Sequence, residues 1–564
     1  LEEIMETGAQ RLIRTLEEMG IGTVFGIPGG AALPLYDALY NSSLRHVLAR
    51  HEQGAAFMAQ GMARVTGRSA VCLATSGPGA TNLLTALADA ERDSVPLVAI
   101  TAQVERARIG TRAFQEVDIV SMARACLKDA WQAESADELG ELLQRALACA
   151  ASPCPGPVLL DIPKDLLLAP CRSAFAGVDV RNCPEQTPTD PDAMAAARSL
   201  LHRSCRPIVV AGAGAATPQG ARALARLAEA GIPSTFTLRG LGGLPSKHPM
   251  NLGMFGMHGH PVANLALGRA DLLIVAGARL DERAVSDPES FGARARILRI
   301  ERDQETADAF RGDCRLVGDA AELLEQLASG LEGAERYEWK GEIEALSREF
   351  PLPLREGHGI VVAVAAAVGD DALFATDVGQ HQMWTAQSLP LSRPGQFLTS
   401  GGFGTMGFGL PAAIGASLAA PLRKVVCFSG DGSLLMNLQE LASLAELGLP
   451  VKICLFDNGG LGLVRQQQDL FLGRRRSGCD YEGTIDFSAI AMGFGIPALS
   501  LEAGEWWESS SWQALLKADG PALVSFRMSP EDTVSPHVPG GRALSEMLWP
   551  EVDSWTRGCC EEMI

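Results

Sequence analysis

Short apolar runs that read as buried strands alternate with helix-patterned segments along the whole chain, and that alternation leaves few folds open. The runs include SAVCLAT (69–75), PLVAITA (96–102), PIVVAGAG (207–214), DLLIVAGA (271–278), KVVCFSG (424–430) and VKICLFDN (451–458), each partly β-branched and bounded by Gly, Pro or charge. Strands that are apolar on both faces belong to parallel sheets covered by helices on either side. The expected fold class is therefore α/β, with each domain around a mainly parallel sheet. A chain of 564 residues has room for three or four domains. Two stretches read as joins, where few contacts should cross. Residues 170–192 carry four Pro and no periodicity, and residues 333–357 are charged and end in a Pro-rich turn. They divide the chain into 1–170, 190–332 and 356–545, with a tail at 546–564.

Composition narrows the partners. With 67 acidic against 48 basic residues the net charge is −19, the opposite of a nucleic-acid binder. The one dense basic run, Arg474-Arg475-Arg476, reads as a solvated loop. Thirteen cysteines without a CxxC pair suggest neither a disulfide framework nor a zinc site, and so a reducing compartment. Cys72, Cys427 and Cys454 lie inside strand runs and are expected to be small buried hydrophobes. No apolar stretch approaches the roughly 18 residues of a membrane span, and the first residues are acidic and helix-patterned, unlike a signal peptide. The expectation is a cytoplasmic protein with neither nucleic-acid nor membrane partners.

The first and third pieces echo each other. In one, a strand runs into SGPG (76–79), a helix, SVP and another strand; in the other, a strand runs into SGDG (429–432), a helix, GLP and another strand. Shared α/β grammar alone could produce this, as could a duplicated domain that holds a ligand between two similar sheets.

The most specific local signal is SGDGSLLMNLQEL…FDNGG. Asp431 follows an apolar strand in a Gly-flanked turn that opens a helix, where backbone N–H groups and the helix N-terminus favour a phosphate. No GK[ST] follows, so this is not a nucleotide-triphosphate loop. Asn458 comes 27 residues later, at the end of the next strand. Neighbouring parallel strands bring both to one sheet edge, where α/β proteins bind ligands. A carboxylate, an amide oxygen and a backbone carbonyl make a hard oxygen site suited to Mg²⁺ bridging a diphosphate. GDG without the Asn would be a bare turn.

The chain resembles the thiamine-diphosphate-dependent enzymes, and within them the acetohydroxyacid synthase (acetolactate synthase) catalytic subunits. The matching segments, in order, are FGIPGGAALPLYDALY (25–40), RHEQGAAFMAQGMAR (50–64), SGPGATNL (76–83), AFQEVD (113–118), PGPVLLDIPKDL (155–166), GMHG (256–259), TDVGQHQMW (376–384), GTMGFGLPAA (404–413) and the GDG segment. The resemblance runs nearly end to end. It implies a pyrimidine-binding domain, a central flavin-type Rossmann-like domain and a diphosphate-binding domain.

Thiamine diphosphate reacts at C2 of its thiazolium ring after its own aminopyrimidine removes the C2 proton, which requires a carboxylate on the far pyrimidine nitrogen. The resemblance makes Glu52 that carboxylate; without context, a Glu at a helix start is a cap or a surface charge. It also implies that Gly404 offers its carbonyl to the aminopyrimidine and that Met406 is the wedge that bends the cofactor. Pro78 and Asn82 would pack beside Glu52. Val378, Gly379, Gln380, His381, Gly432 and Ser433 would hold the diphosphate, and Asp431, Asn458 and the Gly460 carbonyl would ligate Mg²⁺. Gly30, Ala31, Phe114 and Gln115 would line the space over the reacting carbon. Lys128 matches a lysine near the substrate entrance, with a solvated surface lysine as the alternative. Arg283 would grip the carboxylate of the second substrate.

In the middle piece AGAGA (211–215) follows a strand, and Glu301, after RILRI, is placed to bond a ribose hydroxyl as an acid does in dinucleotide folds. The resemblance adds Thr237, Leu238, Arg239, Met257, His258, Gly277, Arg279, Asp281 and Asp319 as contacts to a structural FAD. It further implies a cofactor held between two chains, hence a homodimer or a dimer of dimers, and a possible small regulatory subunit.

Several positions depart from the family pattern. Gln467 stands in VRQQQ where Trp is usual, a Trp that favours 2-oxobutanoate as acceptor. Glu105 replaces Pro, Arg112 replaces Asp, Cys154 replaces the Arg before PGPV, and ARLDER carries Leu280 and Glu282. The expected reaction is decarboxylation of pyruvate and transfer of its two-carbon unit to a second 2-oxoacid, giving 2-acetolactate, with weak preference for 2-oxobutanoate. The alternatives are another thiamine enzyme of this architecture, such as a pyruvate oxidase, a 2-oxoacid decarboxylase or an acetyltransferase, and a non-catalytic paralogue.

Overall fold

The computed structural model describes residues 5–172, 190–329, 331 and 336–549. Most of the 170–192 join and nearly all of the tail, Cys559 and Cys560 included, lie outside them.

The strand runs of the sequence become three six-stranded sheets in which every strand pairing is parallel. The first contains β1 Thr23–Gly26, β2 Arg45–Leu48, β3 Ala70–Ala74, β4 Leu97–Gln103, β5 Asp129–Gln132 and β6 Pro157–Pro163, in the order β2-β1-β3-β4-β6-β5. The second contains β7 Pro207–Ala211, β8 Ser234–Phe236, β9 Asn251–Met254, β10 Leu272–Ala276, β11 Arg296–Glu301 and β12 Cys314–Val317, in the order β12-β11-β10-β7-β8-β9. The third contains β13 Leu373–Thr376, β14 Phe397–Leu398, β15 Val425–Gly430, β16 Val451–Asp457, β17 Ala498–Leu501 and β18 Ala522–Arg527, in the order β14-β13-β15-β16-β18-β17. Cys72, Cys427 and Cys454 are buried in these strands.

The first and third sheets share one strand order, which favours duplication over common grammar as the source of their echo. The order of the second is the dinucleotide-binding order 3-2-1-4-5-6. Each sheet has a central point where the strand order reverses, between β1 and β3, between β7 and β10, and between β13 and β15. Open α/β sheets bind ligands at those switch points, beyond the carboxyl ends of the strands.

One apolar core joins the first sheet to the third. Its centre is the contact of two helices, Glu52–Thr66 and Gly409–Ala419, both rich in Gly and Ala. Small residues let the backbones touch: a Cβ on Gly61 would lie 2.0 Å from the Ala412 carbonyl oxygen, and one on Gly415 would lie 1.8 Å from that of Met58. Gly415→Ala should therefore destabilise the protein by about 1–3 kcal/mol or more through overpacking. Gly268→Ala, at an exposed helical position with open space around it, should be neutral or slightly stabilising. Denaturant titration of both variants checks the contrast.

The 333–357 join is more structured than its composition suggested. Residues Tyr337–Glu349 form a helix that buries Trp339, Ile343 and Leu346 against the middle sheet, and the Trp339 indole N–H donates to the Pro207 carbonyl at 3.1 Å. Its apolar positions fall on one helical face, a pattern masked by the charges between them. No helix among the described residues is long and apolar enough to cross a membrane.

Candidate active site

The switch point of the third sheet gathers the diphosphate candidates. β13 ends into Asp377-Val378-Gly379, and Gln380 and His381 open the next helix. β15 ends into Asp431, Gly432 and Ser433 at the start of a short helix, and Asn458 and Gly460 follow β16. Asp431 is 3% exposed, and its Oδ2 accepts the Gly460 N–H at 3.0 Å. Burial pushes its carboxyl up to about 7, with the nearby Asp457 charge adding to the shift. A buried acid beside a second acid is costly to ionise unless a cation joins it. Asn458 donates through Nδ2 to Gln380 at 2.9 Å, while its Oδ1 is buried with no hydrogen-bond partner. No cluster of three or more His, Cys, Asp or Glu side chains among the described residues could hold a metal. An oxygen set made of Asp431, Asn458 and a backbone carbonyl is the kind that a hard divalent cation accepts, so the residues fit Mg²⁺.

His381 also has a buried ring nitrogen, Nε2, without a partner, and burial holds its pKa down at about 3. A Cβ on Gly379 or on Gly430 would each come within 2.8 Å of that ring. The Ser433 hydroxyl donates to the Val378 carbonyl at 2.7 Å. Met406 reaches this turn: its Cε lies 3.6 Å from where a Gly432 Cβ would stand, and the Tyr481 hydroxyl lies 2.7 Å from that point. Gly404, two residues earlier, has φ +69° in an exposed loop.

Sequence reasoning missed Asp377 and Tyr481. Asp377 is fully buried and accepts N–H bonds from Gly407 at 2.7 Å, Val378 at 3.0 Å and Gly409 at 3.2 Å. It thus ties the Gly404–Met406 loop to the diphosphate turn, although burial pushes its pKa up to about 6. Its place in TDVGQHQMW was the available signal; Tyr481 had none, because a loop fold-back brings it in.

The first sheet supplies the other half. Glu52 opens the Glu52–Thr66 helix, capped by His51, whose side chain accepts the Gln53 N–H at 3.1 Å. The Glu52 carboxylate accepts from Asn82 Nδ2 at 2.9 Å, and Asn82 stands on the first turns of the helix Pro78–Arg92. Gly79 leaves it room: a methyl group there would stand only 3.3 Å from Oε1. Pro78 begins that helix and Gly30 has open space around it, while Ala31 is nearly buried. Gln115 holds a left-handed φ of 60°, costly for a residue with a side chain and common at binding sites. Phe114 beside it is 87% exposed.

The middle sheet's switch point opens into a cavity of about 1390 Å³. Its walls include Thr237, Leu238, Arg239, Met257, His258, Gly277, Arg279, Asp281, Arg283, Glu301 and Asp319, together with Lys128, Val378 and Gly404. Gly212 and Gly277 pack backbone to backbone where β7 and β10 end, so that a Cβ on Gly212 would lie 2.1 Å from the Gly277 carbonyl oxygen. Burial pushes Glu301 up to about 7 even with Arg299 at 2.6 Å. Buried His258 has an unpartnered Nε2. A cavity of this size, bounded by close-packed glycines and an acid at the strand ends, fits a dinucleotide such as FAD. Lys128 stands at its rim, Nζ on Ser152 Oγ at 2.6 Å, and Cys154 Sγ meets Asp303 at 3.1 Å where the family pattern has Arg. The Arg283 guanidinium lies 3.2 Å from the Met257 sulfur. Gln467 stands on the helix Gly462–Phe471, half-buried.

Family comparison assigns the three sheets. Residues 6–122 match the thiamine pyrophosphate enzyme N-terminal TPP binding domain, residues 194–327 the central domain, and residues 377–526 the C-terminal TPP binding domain. The chain is 46% identical over 555 residues to the acetolactate synthase isozyme 1 large subunit of Escherichia coli K12, covering 96% of this chain and 97% of that protein. The chain belongs to the acetolactate synthase large-subunit family of thiamine pyrophosphate enzymes. The isozyme 2 large subunit of the same organism is 42% identical, with 96% and 99% covered. A probable acetolactate synthase large subunit of Methanocaldococcus jannaschii is 38% identical, with 96% and 95% covered. Two thiamine-binding domains thus account for the repeated strand order.

Proposed function

We propose that this chain is a thiamine-diphosphate-dependent carboligase that makes 2-acetolactate from pyruvate, in branched-chain amino-acid biosynthesis. The observation that carries the reading is the pairing, in one acetolactate synthase-type chain, of a buried oxygen site at Asp431 and Asn458, where Asn458 Oδ1 has no partner, with an Asn82-held acid at Glu52. Bound thiamine diphosphate would supply a nucleophilic carbon that takes up pyruvate, releases CO₂ and passes the two-carbon unit to a second 2-oxoacid.

The chain's own residues would do the rest. Asp431, Asn458 and the Gly460 carbonyl hold Mg²⁺, while Val378, Gly379, Gln380, His381, Gly432 and Ser433 surround the diphosphate. Glu52 would keep a proton at the far pyrimidine nitrogen, with Pro78, Asn82 and the Gly404 carbonyl serving the pyrimidine ring and Met406 as the apolar wedge for the cofactor. Gly30, Ala31, Phe114, Gln115 and Lys128 shape the substrate space and limit water, and Arg283 orients the acceptor's carboxylate. FAD occupies the central cavity as a structural group. Phe114, bare in one chain, suits a site closed by a second copy, in a homodimer or dimer of dimers. The names of the relatives, large subunits, are the ground for expecting a small regulatory partner. A cytoplasmic location suits a biosynthetic role.

Purified protein given pyruvate, Mg²⁺ and thiamine diphosphate, with and without FAD, should form acetolactate. Acetaldehyde, or acetyl phosphate with peroxide, would replace this reading with a decarboxylase or an oxidase.

Gln467 sets a further expectation. One methylene in a good apolar pocket is worth roughly 1–3 kcal/mol of discrimination, and an amide offers little of that contact. In competition between 2-oxobutanoate and pyruvate the protein should show little preference, and Gln467→Trp should raise the preference for 2-oxobutanoate by about tenfold or more. Mostly 2-aceto-2-hydroxybutanoate from the unmodified protein would refute this.

A further inference from the structure

Glu440 has no exposed surface, and the proposed chemistry does not use it. It opens the helix Glu440–Leu447, in the segment that begins with Asp431, yet its carboxylate reaches across to the other thiamine domain. Oε1 accepts the backbone N–H of Arg50 at 2.9 Å and of His51 at 3.0 Å, while Oε2 accepts the Ser443 hydroxyl at 2.7 Å. These two N–H groups immediately precede Glu52. Gly54, on the first turn of the same helix, makes the approach possible: a Cβ there would lie 2.3 Å from Oε1. Burial pushes the Glu440 pKa up, and the bonds from Ser443, Arg50 and His51 oppose that shift. Two N–H groups on one carboxylate oxygen are charge-assisted bonds of fixed direction, so they set where the helix starts.

The same device recurs in the opposite direction. Asp93, in the N-terminal thiamine domain, accepts the N–H groups of Gly401 at 3.1 Å and Gly402 at 2.8 Å, just before Gly404. Asp89 accepts the hydroxyls of Thr405, at 2.7 Å, and Ser400. Each thiamine domain's reactive loop is thus gripped by an acid from the other.

We propose that Glu440 is a positioning residue: it locks the start of the Glu52 helix to the metal-binding segment of the same chain and so sets where the Glu52 carboxylate stands. This rests on the proposed function, with Glu52 as the acid that acts on the pyrimidine ring.

Two substitutions separate reach from charge. Glu440→Asp keeps the charge but withdraws the carboxylate by about 1.5 Å, one C–C bond. Glu440→Gln keeps the reach and one acceptor oxygen but loses the charge. Neither enlarges the side chain. The main readout is the rate at which the C2 hydrogen of bound thiamine diphosphate exchanges with D₂O in the magnesium-loaded holoenzyme, by acid quench and NMR, without substrate. The second is amide exchange of residues 48–54 in the cofactor-free protein, by mass spectrometry. A misplacement of about 1 Å can cost about 100-fold, so Glu440→Asp should slow C2 exchange by at least about tenfold. It should also speed amide exchange at 48–54, with cofactor affinity within about threefold. Glu440→Gln should be less impaired in both. A Glu440→Asp protein that exchanges C2 at the unmodified rate, or a Gln variant slower than the Asp variant, overturns the proposal. So does a lower melting temperature without slower C2 exchange, which would leave Glu440 purely structural. Glu52→Gln is the reference. If it fails to slow C2 exchange, the assignment of Glu52 falls; if it slows exchange and Glu440→Asp does not, only the clamp falls.

Discussion

Glu52→Gln should lower acetolactate formation by about 10²- to 10⁴-fold, the range for loss of a positioned acid–base group, while thiamine diphosphate still binds. The amide is nearly the same size and its oxygen can still accept from Asn82 Nδ2, which holds the carboxylate at 2.9 Å. What it cannot do is take up and return a proton. The His51 cap, Gly54 and the Glu440 contacts are all backbone features or neighbours and stay as they are. Initial rates at saturating cofactor, with calorimetric titration of cofactor binding, separate the two effects. An unaltered rate would remove Glu52 from the chemistry.

Asp431→Ala should act on binding instead. It deletes the one buried carboxylate of the oxygen site and leaves the Gly460 N–H without its acceptor. Asn458 Oδ1 and a carbonyl alone are a poor set for a divalent cation, which seeks anionic oxygen. Loss even of supporting groups around a metal costs 10- to 100-fold in affinity, so removal of a ligand should weaken Mg²⁺-dependent cofactor binding by at least about 100-fold. Dialysis of the unmodified protein against EDTA should release the cofactor in the same way, and Mg²⁺ should restore it. Cofactor affinity in Asp431→Ala equal to that of the unmodified protein would place the metal elsewhere.

What the sequence made legible was local. β3, β4, β7, β10, β15 and β16 begin and end within three residues of the apolar runs because a buried parallel strand needs apolar side chains on both faces. Asp431 and Asn458 were legible because two adjacent strand ends deliver them to one edge, so their spacing carried the geometry. The central-domain candidates, scattered from Thr237 to Asp319, line one cavity because each lies at a strand end or in the loop that follows one. What stayed hidden depends on distant contacts. Nothing in EQGAAFMAQ or GLPAAIGAS says that Gly61 meets Ala412, since small residues in a helix are equally consistent with any close neighbour. Glu440 reads as an ordinary helix-start acid until its oxygen is found on residues 390 positions earlier in the chain. The helix at Tyr337–Glu349 was hidden because charged residues between Trp339, Ile343 and Leu346 obscured a narrow apolar stripe.

The central claim is that a magnesium-bound thiamine diphosphate is gripped by the third sheet and activated by an acid of the first. A crystal structure of the protein with thiamine diphosphate and Mg²⁺ tests it most directly. The account predicts the metal on Asp431, Asn458 and the Gly460 carbonyl, the diphosphate against His381 and Ser433, and a Glu52 carboxylate, from a second copy of the chain, within hydrogen-bond distance of the pyrimidine ring. Cofactor bound away from the β13–β15 switch point, or a pyrimidine ring with no Glu52 beside it, would contradict it.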